Sequence, residues 1–179
     1  MNWGGQGDIG GFFAEIGAEV LSLEGRTINV SLAHLKNSKI KNYKCIQFNM
    51  ENDFSEFGKF DMIINFGLIY HLKNVEKHLI CCAKMSDEIL LEGTVCDSTD
   101  PSKIFFLEEP EGLGQALDGV GSRPGPYYIE RIFENNNFEV IRHFSKDLNS
   151  ESYVYDWEHN NDNSIFSNRR RFWNFKKLK

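Results

Sequence analysis

Apolar residues along the first half of the chain recur in two alternating rhythms. Residues 9–16 carry Ile9, Phe12, Phe13 and Ile16 at helical spacing and stop at Gly17. Residues 19–24 read as a buried strand. Residues 27–35 predict a short helix with Ile28, Leu32 and Leu35 on its inward face. A short strand follows at 44–48. Residues 60–66 (Phe-Asp-Met-Ile-Ile-Asn-Phe) are apolar on both faces, the pattern of a central parallel strand. Residues 74–85 predict a helix capped by Asn74, with Val75, Leu79, Ile80 and Ala83 facing in. A strand is expected at 88–92. This alternation predicts an α/β fold, a mostly parallel sheet with helices on both faces.

The second half reads differently. Residues 94–125 concentrate proline and glycine and predict a long loop or lid. Residues 126–135 predict a helix with Pro126 in its first turn, 138–144 a strand, and 171–175 a last strand. One domain, 1–179, is expected, with 1–93 as a cofactor-binding half and 94–179 as the lid and substrate-side half.

Composition narrows the function. The chain is 41% apolar and 26% charged with a formal charge of −6, which argues against general nucleic-acid binding. No apolar run approaches the roughly 18 residues of a spanning helix, and no signal peptide is recognisable, so a cytoplasmic protein is expected. Cys45, Cys81, Cys82 and Cys96 have no metal-ligand spacing, and no metal is implied.

Candidate chemistry begins with Gly4-Gly5-Gln6-Gly7-Asp8-Ile9-Gly10-Gly11. Glycines let backbone approach a ligand, and the following helix offers free N–H groups. Glu24, at the tip of the next strand, is suited to the two hydroxyls of a ribose. This layout serves both nicotinamide dinucleotides and S-adenosylmethionine. It is also compatible with a glycine-rich tail and a solvent-exposed acid.

The later segments discriminate. Gly17-Ala18-Glu19-Val20-Leu21-Ser22-Leu23-Glu24-Gly25-Arg26 and Phe60-Asp61-Met62-Ile63-Ile64-Asn65-Phe66-Gly67-Leu68-Ile69-Tyr70-His71-Leu72 resemble the ribose-holding strand and the fourth motif of class I S-adenosylmethionine-dependent methyltransferases. With Leu91 to Ser98, Gly119 to Pro124, Tyr155-Asp156-Trp157 and Arg170-Arg171-Phe172-Trp173, the resemblance to small bacterial and phage methyltransferases spans nearly the whole chain. It implies a Rossmann-like fold and S-adenosylmethionine as cofactor. It further implies Gly5, Gly7 and Asp8 beside the methionine portion, Glu24 on the ribose, and Gly25, Arg26, Asn49 and Met50 around the adenine. Phe66 and Gly67 would lie beneath the sulfonium.

Tyr70 and His71 would stand where an acceptor meets the methyl group, with His71 as base or, alternatively, as a turn-filling residue. Arg123, Tyr155 and Trp157 are candidate substrate contacts, although a salt bridge for Arg123 and core packing for the aromatics, Trp173 included, fit as well. Arg169-Arg170-Arg171 reads as a solvated strand edge.

In such folds the first strand lies between the second and fourth. Only Met1-Asn2-Trp3 precede the glycines, so an N-terminally truncated sheet with that strand missing is expected. Its neighbours would be left unpaired or closed directly on one another. The expected activity is methyl transfer to a small-molecule or sugar hydroxyl or amine, with a small-molecule substrate and no membrane partner. A nicotinamide-dependent oxidoreductase and a degenerate, non-catalytic cofactor-binding module are the rival readings.

Overall fold

A computed structural model describes residues 2–3, 6–110, 112, 115–144, 146–149, 151, 155 and 169–179. The strands are β1 (Asn2–Trp3), β2 (Val20–Glu24), β3 (Tyr43–Gln47), β4 (Ile63–Phe66), β5 (Glu88–Thr94), β6 (Ile104–Glu108), β7 (Val120–Pro124), β8 (Phe138–Arg142) and β9 (Arg170–Lys177). The helices are α1 (Asp8–Glu15), α2 (Thr27–Lys36), α3 (Val75–Met85) and α4 (Pro126–Glu134).

Seven strands form one sheet in the order β3-β2-β1-β4-β5-β9-β8. β1 to β5 run parallel, and β9 is antiparallel to both β5 and β8. The gap expected between the second and fourth strands is therefore filled. Asn2 and Trp3 pair with Ser22 and Leu23 on one side, and Asn2 with Ile64 on the other.

The main core lies between the sheet and α3 and α4. Ile63, Leu79, Cys82, Ile89, Leu91, Ile129, Phe133, Trp173 and Phe175 are all buried there. Phe133 stacks on Phe175 with centroids 3.8 Å apart. Trp173 belongs to this core and donates Nε1–H to Glu130 at 2.9 Å, so it is not an aromatic wall for substrate. Val75, Leu79 and Ala83 face inward on α3 as expected, with Ile80 partly buried. Asn74, however, makes no side-chain cap. The Glu51 carboxylate takes that place, accepting from the backbone of Lys73 and Asn74 and from Asn74 Nδ2. A carboxylate at a helix N-terminus is favourable in itself.

The opposite face is built by close approach rather than bulk. Ile28 and Leu35, expected inward on α2, are exposed, and Ala33 and Asn37 are buried instead. They meet the glycine face of α1. Asn37 Nδ2 donates to Gly7 O at 3.2 Å and to Ala33 O at 3.0 Å. Small residues win because large ones would hold the two helices apart.

Gly7 sits at φ 81°, and a β-carbon there would lie 2.6 Å from the Tyr43 hydroxyl and 2.8 Å from Ala33 Cβ. Left-handed strain and overpacking act together, so Gly7→Ala should cost about 1–3 kcal/mol. Urea denaturation checks this, and a loss under half that range would show that the helix contact yields.

The segment 94–125 is not a structureless loop. It contains the antiparallel hairpin β6–β7, which forms a separate two-stranded sheet. Arg170 and Arg171 are not a solvated edge either. β9 lies between β5 and β8, and both side chains are buried, Arg171 near Asp97 and Arg170 on Glu92. No helix among the described residues is long and apolar enough to cross a membrane.

Candidate active site

A cavity of about 310 Å³ opens at the carboxyl ends of the parallel strands, where ligands of such sheets bind. β2 ends at Glu24, whose Oε1 accepts the Arg26 backbone N–H at 2.9 Å. β3 leads to Asn49 and Met50. β4 ends at Phe66, followed by Gly67 at φ 70° and a single tight turn over Ile69–His71. Glu24, Gly25, Arg26, Asn49, Met50, Phe66, Gly67, Tyr70 and His71 all line this one cavity. Asn49 Oδ1 already accepts from the Glu51 backbone at 3.0 Å, which leaves it one lone pair for a further donor.

Two of the expected cofactor contacts lie elsewhere. Gly7 packs against Tyr43 and Asn37, and Asp8 is an exposed partner of Lys36 at 2.8 Å. Neither lines the cavity. Gly5 and Trp157 fall outside the described residues.

The hairpin covers the cavity. Its connecting segment places Gln115 and Leu117 in the lining. Arg26 donates to Gln115 O at 2.8 Å, and the Leu117 side chain closes on Gly25, where an added β-carbon would push its Cδ1 aside. Glu109, just past β6, reaches the other end. Its Oε2 accepts from Ala116 N at 2.6 Å and lies 2.7 Å from His71 Nδ1. Nothing local in the sequence marks Glu109, because its ring partner is 38 residues away.

Tyr70 is held between two cations. The guanidinium of Arg123 lies 5.3 Å from its ring centroid and that of Arg170 5.2 Å, within cation–π range. The His71 ring tilts against it at 4.2 Å. Arg123, expected as a substrate contact, does not line the cavity. It donates to Tyr70 O at 3.0 Å and Ser122 O at 2.7 Å, with Glu109 Oε1 3.6 Å away. Tyr155 lies beside this group and donates its hydroxyl to Glu92 Oε1 at 3.2 Å.

Burial pulls the His71 pKa below the ordinary imidazole value, against the opposing pull of Glu109, while Arg123 and Arg170 add to the depression. His71 is therefore neutral at neutral pH and able to take up a proton. Among the described residues, no group of three or more His, Cys, Asp or Glu side chains is placed to hold a metal.

No known protein-family model matches the chain, and no curated protein matches it. Solved structures do match over 99% of its length. The N-terminal domain of EvdMO1 with SAH bound superposes with a TM-score of 0.73 at 18% identity, over 73% of that chain. Magnesium protoporphyrin IX methyltransferase (ChlM) from Synechocystis PCC 6803 with bound SAM gives 0.66 at 13% identity, over 68% of that chain. The fold is that of class I methyltransferases. The glycopeptide N-methyltransferase MtfA complexed with SAM matches at 0.63 and 12% identity, over 80% of that chain. A magnesium protoporphyrin IX methyltransferase and a glycopeptide N-methyltransferase thus share this fold over nearly the whole of the chain.

Proposed function

We propose that the chain is an S-adenosylmethionine-dependent methyltransferase acting on a hydroxyl or amine of a small molecule or sugar. The observation that carries this reading is the convergence of Glu24, Asn49, Met50, Phe66 and Gly67 on one cavity at the ends of β2, β3 and β4. Its volume, about 310 Å³, falls in the range of small-molecule sites.

The donor set suits the cofactor. Glu24 offers a carboxylate for the ribose hydroxyls, Met50 and Leu117 an apolar slot for the adenine, and Gly67 a backbone without a side chain beside the reacting centre. Bound there, S-adenosylmethionine supplies an electrophilic methyl group on a sulfonium. The protein's own part is to fix an acceptor in line, to exclude water beneath the hairpin, and to receive a proton at His71. A crystal of the EvdMO1 N-terminal domain grown in the presence of SAH and D-fucose supports a sugar as one acceptor class. The four buried free cysteines suit a reducing, cytoplasmic setting.

Calorimetry with S-adenosylmethionine, and separately with NADH, tests the reading. The first should bind, and Glu24→Ala should weaken it roughly tenfold to a hundredfold, the effect of losing hydrogen bonds to a charged group. A folded chain that binds only NADH, or neither, would sink the proposal.

A further inference from the structure

We propose that Glu109 is a positioning residue which holds the Nδ1–H of His71 and thereby makes Nε2 the base for a hydroxyl acceptor. This rests on the methyltransferase reading above.

The argument starts from a buried carboxylate. The Glu109 side chain is only 6% exposed and touches three partners that only the folded hairpin assembles. These are the His71 ring, the Ala116 N–H and, at 3.6 Å, the Arg123 guanidinium. A carboxylate with no proton of its own accepts only, so at 2.7 Å it fixes the proton of a neutral imidazole on Nδ1. Nε2 is then the lone-pair nitrogen, on a ring that lines the cavity.

The charged and titratable groups around the ring are Glu109, Arg123, Arg170 and Tyr70. The two guanidiniums oppose protonation of His71, and Glu109 is the anion that favours it. The carboxylate therefore both orients the ring and stabilises the imidazolium formed during the reaction, as acid partners of histidine bases do.

A base of this construction selects its substrate. A neutral amine attacks with its own lone pair and can lose its proton to water afterwards. A hydroxyl is a poor nucleophile unless its proton leaves as the bond forms. The acceptor oxygen forms the new bond to the methyl carbon, and the electron pair of the broken carbon–sulfur bond remains on sulfur. The hydroxyl proton passes to Nε2 and from there to water.

Long-range proton–nitrogen NMR of the full chain without ligand reads the dyad directly, with the His71 signals assigned by their loss in His71→Gln. The neutral ring should show the Nδ1–H tautomer. In Glu109→Gln the His71 titration midpoint should fall by about one pH unit or more, the usual effect of removing an adjacent opposite charge. An Nε2–H tautomer in the unaltered chain, or an unmoved midpoint in Glu109→Gln, would overturn the assignment. If Glu109→Gln fails to fold by circular dichroism, the tautomer of the unaltered chain decides alone.

With radiolabelled S-adenosylmethionine and mixed free sugars or primary amines, label should pass to hydroxyls. Transfer to amines alone would overturn the acceptor class. Loss of S-adenosylmethionine binding in calorimetry would instead overturn the underlying reading, a separate outcome from the NMR result.

Discussion

Arg170→Met should lower the free energy of unfolding by about 3–5 kcal/mol, because it strands a buried carboxylate. Arg170 and Glu92 are diagonal neighbours on one face of the antiparallel β5–β9 pair, where Glu92 stands opposite Phe172 and Arg170 opposite Thr94. The guanidinium grips Glu92 through both Nε and Nη2, the latter at 2.7 Å from Oε2, and reaches Thr94 Oγ1 at 3.2 Å. The two side chains are 9% and 11% exposed, so neither charge is easily rehydrated when its partner is removed.

The cost belongs to the orphaned charge more than to the attraction itself. Glu92→Leu combined with Arg170→Met should therefore cost much less than the two single changes added together. Urea denaturation of the four proteins in a double-mutant cycle measures this. Additive losses, or a single-variant loss under about 1 kcal/mol, would mean that water reaches the pair.

A second large effect is expected in the pH dependence of stability. His78 on α3 is fully enclosed, 2.7 Å from Asn65 Nδ2 on β4, and its ring packs 5.1 Å from that of Phe54. Burial drives its pKa from the usual 6.5 down to about 3. Between those two values the unfolded chain carries a proton that the folded chain refuses, so stability is full above pH 6.5 and falls as pH drops toward about 3.

The slope approaches about 1.4 kcal/mol per pH unit well inside that window. Denaturation midpoints taken from neutral pH to about pH 4.5 should show this decline, and His78→Gln should flatten most of it. His71, also depressed, contributes in the same direction, and His71→Gln isolates its share. An unchanged slope in His78→Gln would show that the ring is protonated by local opening rather than by unfolding.

The sheet was largely legible from sequence, since β2, β4, β5, α3 and α4 each carry a periodic signal within their own few residues. So was the cavity rim, because Glu24, Asn49, Phe66 and Gly67 follow directly at the ends of recognisable strands. What escaped depends on partners distant in the chain. Arg170 and Arg171 look solvated until β8 is known to cover the far side of β9. Glu109 has no local pattern, and it meets His71 only because the β6–β7 hairpin folds back over Tyr70 and His71. The β6–β7 hairpin was hidden by the proline and glycine around it. Ile28 and Leu35 had the correct spacing, but the glycines of α1 made a smaller contact surface the better fit.

The place of β1 in the sheet has a mechanical consequence. β2 and β3 pair over five residues, and β4 and β5 over four. Among the described residues, these half-sheets are joined through β1, whose Asn2 and Trp3 pair with β2 and whose Asn2 pairs with β4. The cavity straddles that junction, with Glu24 on one bank and Gly67 on the other. A ligand that grips both banks becomes, in effect, a rung of the sheet. Its occupancy then adds to cohesion of the whole fold by mass action, and the protein is most tightly knit with its cleft filled.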